Sequence, residues 1–184
     1  MKGRIRSMTS SPIPLPLHPL PPPAHPAGIL GSRVLRWPDE AACAATARAL
    51  AARPALREAL VELHGTLGAG KTTFVRHLLR ALGETGRVRS PTYALLETYR
   101  LGTLEVAHHD FDRFGDPHEW EDAGLRDVFA RPGLKLVEWP AQAGTLLPAP
   151  DLRLWLEADD DGTRHVTFEA CSARGLALLP EPQT

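Results

Sequence analysis

The stretch "HGTLGAGKTTF", His64 to Phe74, limits what this 184-residue chain can fold into more than any other part of it. Gly65 to Thr72 fits the pattern G-x-x-x-x-G-K-[S/T] at every fixed position. The apolar run "EALVELH" (Glu58 to His64) leads into it and reads as a short strand. "KTTFVRHLLRAL" leaves it with Phe74, Val75, Leu78, Leu79 and Leu82 at helical spacing, stopped by Gly83. A strand turning through glycines into a helix is the context in which this pattern holds phosphate. The glycines let backbone N–H groups curl around an anion, and the helix aims its positive N-terminus at the same point. Gly65, Gly68, Ala69, Gly70, Lys71, Thr72 and Thr73 are therefore the expected nucleotide-binding residues. Lys71 neutralises the outer phosphates. Thr72 offers a hydroxyl to magnesium, an ion that dehydrates reluctantly and is held partly through the phosphates themselves. The expected ligand is ATP or GTP with Mg2+.

The remaining pattern reads as one α/β domain. "ILGSRVLR" (Ile29 to Arg36) is a first strand, and Trp37 to Arg53 a helix with Pro38 in its first turn and Asp39 and Glu40 favourable to its dipole. "TYALLETYR" (Thr92 to Arg100) and "LEVAHHDF" (Leu104 to Phe111) read as an antiparallel pair joined by "LGT". Asp116, Pro117 and Glu119 open a helix as N-cap, N1 proline and N3 acid, and Gly124 breaks it in two. "LKLVEW" (Leu134 to Trp139) is a strand closed by Pro140. The alternation in "DLRLWLEADDDGTRHVTFEA" predicts a hairpin at one sheet edge. The expectation is a P-loop NTPase-like, three-layer domain over residues 28–180 with a mixed, partly antiparallel central sheet.

Residues 1–27 are set apart by composition, with prolines throughout "SSPIPLPLHPLPPPAHPAG" (Ser10 to Gly28). Proline removes backbone donors, so the expectation there is a disordered or polyproline-type tail, with no unbroken apolar run for a signal peptide. A start at Met8 is an alternative. The formal net charge is −1, so there is no global basic field to hold nucleic acid; such a role needs a partner or a local patch. Cys43 and Cys171 are far apart and fit a reducing compartment, with both read as buried apolar residues. No apolar run is long enough to span a bilayer. The expected location is cytoplasmic.

A phosphate cradle only binds. Hydrolysis also needs an acid for the metal shell and a group that positions the attacking water. Such groups collect at the carboxyl ends of strands, and two expected strands end in an acid: "LKLVEW" gives Glu138 and "LEVAHHD" gives Asp110. Glu138 resembles a Walker B position. His108 and His109 precede Asp110, but neighbours on a strand point to opposite faces and do not readily ligate one ion. They read as structural, or as one pocket-lining histidine.

With these pieces placed, the chain resembles the TsaE (YjeE) family of P-loop ATPases of bacterial tRNA threonylcarbamoyladenosine synthesis. Four segments carry the resemblance in order: "HGTLGAGKTTF", "SPTYALLETY" (Ser90 to Tyr99), "HHDFDRFGDPHEWEDAGLRDVF" (His108 to Phe129) and "LVEWP" (Leu136 to Pro140). It covers the chain from about Ile29 to the final hairpin. The resemblance implies catalytic roles for Lys71, Asp110 and Glu138, magnesium association for Thr72 and Glu138, and a switch loop at Ser90, Pro91 and Thr92 that senses the γ-phosphate. It also implies a nucleotide contact for Arg164. Two positions depart from the family pattern: His109 stands where Phe is common, and Asp112 where an aromatic residue is frequent. The implied partners are TsaD and TsaB, the transferase complex that modifies adenosine 37, with tRNA reached indirectly through them.

Two other classes share the P-loop. A small-molecule kinase needs an arginine lid and an acceptor pocket, for which only Arg126 and Arg131 offer themselves. A scaffold that binds ATP without turnover is the third reading. Trp37 to Glu40 is a candidate for the adenine pocket, and equally a helix start.

Overall fold

The computed structural model describes residues 28–182, so the proline-rich segment read as a tail lies outside them. The strands are β1 (Gly31–Trp37), β2 (Leu60–His64), β3 (Leu96–Leu101), β4 (Leu104–Asp110), β5 (Leu134–Glu138), β6 (Leu152–Ala158) and β7 (Arg164–Ala170). The helices are α1 (Glu40–Ala51), α2 (Lys71–Ala81), α3 (Pro117–Asp122), α4 (Leu125–Ala130), α5 (Pro140–Ala143) and α6 (Ala173–Leu176). The strands form one sheet in the order β1-β7-β6-β2-β5-β4-β3. Its middle, β6-β2-β5-β4, is parallel, and antiparallel pairs close both sides. The expected mixed sheet is present.

Strand alternation splits the apolar residues between two cores. Val61, Leu63, Leu134, Leu136, Leu154, Val166 and Phe168 face α1 and α2, whose Ala47, Leu50, Phe74, Leu78 and Leu79 complete the larger cluster. Each fully buried side chain of this size stabilises the fold by about 1.5–3 kcal/mol. The opposite face of the sheet carries Leu60 and Val137, covered by Phe111, Phe114, Trp120, Leu125 and Ala143 from α3 to α5 and the segment before them. Three layers result, with β2 and β5 buried from end to end.

Three local expectations are corrected. The predicted strand from Thr92 begins only at Leu96, because Pro91 to Leu95 closes a turn through Leu95 N–H to Pro91 O at 2.7 Å. The hairpin of β6 and β7 does not form an edge, since β1 pairs antiparallel with β7 and lies outside it. Pro38 precedes α1 instead of lying in its first turn: the N-cap is Asp39, whose carboxylate accepts from Ala42 N–H at 2.9 Å. The capping box at Asp116 and Glu119 forms as the sequence predicts, and Gly124 separates α3 from α4 with φ 62°. Cys43 is buried, but Cys171 is only half-buried.

Candidate functional site

The loop after β2 rises over the carboxyl end of the parallel strands. Gly65 adopts φ 143°, and a Cβ there would meet Leu156 O at 2.5 Å, so both conformation and space demand glycine. Gly70, at φ 110°, caps the start of α2 without a side chain. The first amides of α2 have no partner within their own helix, which makes this turn an anion cradle.

Lys71 is 5% exposed and lies across the loop. Its Nζ donates to Gly65 O at 2.7 Å and Thr66 O at 2.9 Å, and sits 3.8 Å from the centre of the Trp139 ring. Desolvation lowers its pKa, opposed by the negative fields of Glu138 and Asp110. An ammonium among carbonyls, a ring face and carboxylates is poised for an anion, because phosphate oxygens are stronger acceptors than peptide carbonyls.

Both predicted acids enter the same cleft, as Asp110 and Glu138 are register partners across β4 and β5. Glu138 is 2% exposed; it accepts from Thr72 Oγ1 at 2.9 Å on one oxygen and from His108 Nε2 at 2.9 Å on the other. Asp110 binds the loop before β3. Its Oδ2 accepts from the hydroxyls of Ser90 and Thr92, the latter at 3.0 Å, and its Oδ1 accepts from Asp112 N–H at 2.9 Å. Desolvation raises the Asp110 pKa, the Asp112 N–H pulls it down, and the nearby Glu138 charge raises it. Pro91 is buried between the two hydroxyl residues.

The cleft is lined by Gly68, Gly70, Lys71, Thr72, Thr73, Ser90, Thr92, Asp110, Asp112 and Glu138, with Leu67 and Trp139 at its sides. Ala69 lies under the loop, fully buried, and lines a neighbouring pocket instead. That pocket is bounded by Trp37, Asp39, Glu40, Cys43, Gly70, Thr73 and Arg164. Arg164 and the turn at Trp37 to Glu40 thus flank one hollow beside the glycine loop.

Among the described residues no cluster of three or more His, Cys, Asp or Glu could hold a metal. A cation here would need further oxygens from its ligand, and the Thr72 and Glu138 pair fits magnesium delivered with phosphates. Trp139 is the residue sequence reasoning passed over. It and Leu95 are the non-glycine residues at positive φ among the described residues, 56° and 61°, and both border the cleft segments. Its signal was its place directly after Glu138 and before Pro140. His108, left open between structural and pocket-lining roles, reaches Glu138, while His109 points to the other face and stacks on Phe111 and Phe129. No helix among the described residues is long and apolar enough to cross a membrane.

Known proteins resemble this chain over most of its length. The chain matches the family described as "Threonylcarbamoyl adenosine biosynthesis protein TsaE" over residues 37–166. It is 40% identical over 120 residues to the tRNA threonylcarbamoyladenosine biosynthesis protein TsaE of Haemophilus influenzae, covering 65% of this chain and 75% of that protein. It is 36% identical over 151 residues to the protein of the same name from Bacillus subtilis, covering 80% and 92%. Among solved structures, the crystal structure of Bacillus subtilis YdiB superposes with a TM-score of 0.68 at 30% identity, over 80% of this chain and 91% of that one. With matched segments that include the glycine loop, both acids and the Trp139 turn, the chain belongs to the TsaE family.

Proposed function

We propose that this chain is a magnesium-dependent ATPase required for threonylcarbamoyladenosine modification of tRNA, acting through nucleotide-dependent association with the TsaD–TsaB transferase complex. The observation that carries the reading is the hydrogen bond from Thr72 Oγ1 to Glu138, 2.9 Å, directly behind a glycine loop whose lysine is buried. A hydroxyl and a carboxylate joined at a helix N-terminus are the protein's share of a magnesium shell in phosphoryl transfer. ATP with its magnesium supplies the phosphoanhydride bond to be cleaved.

Each protein group has a task in that chemistry. Lys71 exchanges the carbonyls of Gly65 and Thr66 for outer phosphate oxygens and offsets charge on the transferred group. Thr72 and Glu138 hold and orient the metal shell. Asp110 orders the attacking water once Ser90 and Thr92 turn from its carboxylate toward the γ-phosphate. That exchange makes Ser90 to Thr92 a switch, with phosphate and carboxylate competing for the same hydroxyls. Hydrolysis returns the loop to Asp110 and changes the surface offered to the partner. Gly65 to Thr73 cradle the phosphates, and Arg164 with Trp37 flanks the base.

The test is ATP hydrolysis by the purified chain, alone and with the matching TsaD–TsaB complex and tRNA, with modified adenosine followed in the same samples. Stimulated hydrolysis and sustained modification, both lost in Asp110→Ala, are expected. Modification that persists in Asp110→Ala would favour a scaffold. Phosphorylation of a small metabolite by the isolated chain would favour a kinase.

A further inference from the structure

His108 is fully buried at the end of β4, on the face that meets α2, and its register partner on β5 is Leu136. Its Nε2 lies 2.9 Å from Glu138 Oε1. The other oxygen of the same carboxylate accepts from Thr72 Oγ1 at 2.9 Å. Glu138 is thus fixed at both ends, by a helix hydroxyl on one side and an imidazole on the other. The second imidazole nitrogen, Nδ1, is buried and without a hydrogen-bond partner in the structure. The neighbouring His109 is equally buried with both ring nitrogens unpartnered, so what distinguishes His108 is its bond to Glu138.

We propose that His108 is a positioning residue: it donates Nε2–H to Glu138 and thereby holds the carboxylate in the orientation that, with Thr72, receives magnesium. The role rests on the ATPase reading above and extends it to a residue that touches neither nucleotide nor metal. The geometry assigns the tautomer, because a carboxylate oxygen can only accept and the nitrogen facing it must carry the hydrogen. Without His108, Glu138 has one anchor and is free to rotate about its last bond. Groups of this kind, one step behind a metal's partners, commonly change metal affinity by about 10–100-fold. His109 provides an internal contrast, for it is equally buried but stacks among Phe111 and Phe129 on the other face of the sheet.

Wild type, His108→Leu and His108→Gln are compared for affinity toward a fluorescent, non-hydrolysable ATP analogue, with magnesium and with chelator, and for kcat and KM with ATP. Leucine keeps the volume and removes the donor; the glutamine amide places an N–H close to the position of Nε2. In His108→Leu the gain in affinity on adding magnesium falls about tenfold and kcat falls at least as much, while affinity in chelator stays within about twofold. His108→Gln recovers the magnesium effect to within about threefold of wild type. The imidazole 15N signals of wild type, read by NMR, report the Nε2–H tautomer, a readout that stands even if the leucine variant does not fold. An unaltered magnesium effect in His108→Leu, equal deficits in the two variants, or an Nδ1–H tautomer overturns the proposal. Wild type that binds no nucleotide overturns the ATPase reading and this proposal together, a different outcome from failure of the variants alone.

Discussion

The two faces of β4 and β5 are built from the same few residues and do opposite things. On the α2 face, Glu138 takes hydrogen bonds from Thr72 and His108, Asp110 holds the hydroxyls of Ser90 and Thr92, and the charges of both acids act on Lys71. On the other face, one residue along the chain, His109 stacks on Phe111 and Phe129, and Trp120 stacks on Phe129. Strand alternation alone separates them. The polar face retains a left-handed Trp139, a conformation that costs stability and persists where function requires it, whereas unpartnered imidazole nitrogens occur on both faces, at His108 and at His109. The aromatic face clamps the segment from Phe111 to α4 onto the sheet and so holds the end of β4, with Asp110, in place. One face should fail in chemistry and the other in folding.

The sharpest separation comes from Lys71→Ala. Removing the buried ammonium should lower ATP hydrolysis about 1000-fold, on the order of 4 kcal/mol of transition-state stabilisation, while the melting temperature holds or rises. Steady-state kinetics beside a thermal melt checks both halves, and a collapse of the fold would break the comparison. Phe111→Ala is the converse. This fully buried ring should cost about 3–5 kcal/mol in a denaturant titration, and nucleotide affinity of the remaining folded protein should change little. Thr92→Ala is smaller: with one of the two hydroxyls that turn from Asp110 no longer available to the γ-phosphate, partner-stimulated hydrolysis should drop about tenfold, as expected for one lost hydrogen bond to a charged group. Unchanged stimulation and unchanged partner affinity would remove the loop from the switch.

The smallest effect concerns acid. Burial pushes the His109 pKa down to about 3, with the field of His108 adding to it. Between that value and the unfolded value near 6.5 the unfolded chain binds the extra proton, so stability falls as pH drops through this window. At pH 5.5 the loss from this one group is on the order of 1 kcal/mol, and His109→Phe should abolish it. Denaturant titrations of both proteins at pH 7.5 and pH 5.5 give the comparison; equal acid sensitivity would place the titrating group elsewhere.

The site was more legible than the connections around it. The glycine loop, Lys71 and Thr72 are written contiguously, because a phosphate cradle is local backbone chemistry. Glu138 and Asp110 were found as acids at strand ends, since a parallel sheet brings such ends together. Ser90 to Thr92 was placed as a loop only by resemblance. The strand expected from Thr92 failed because two hydroxyls bound to Asp110, eighteen and twenty residues on, hold a turn that no nearest-neighbour pattern encodes. The hairpin was misplaced at an edge for a similar reason: the pairing of β1 with β7 joins the two ends of the domain, and period-2 alternation is the same for an edge strand and its neighbour. His108 and Trp139 were visible as residues, but their contacts with Glu138 and Lys71 exist only in three dimensions.

The most direct measurement is a crystal structure of the chain with magnesium and a non-hydrolysable ATP analogue. The account predicts Lys71 Nζ moved from the carbonyls of Gly65 and Thr66 onto the outer phosphates, magnesium beside Thr72 and Glu138, and the Thr92 hydroxyl turned from Asp110 toward the γ-phosphate. Phosphates bound elsewhere, or bound in the cleft with Lys71 still on its loop carbonyls, would contradict it.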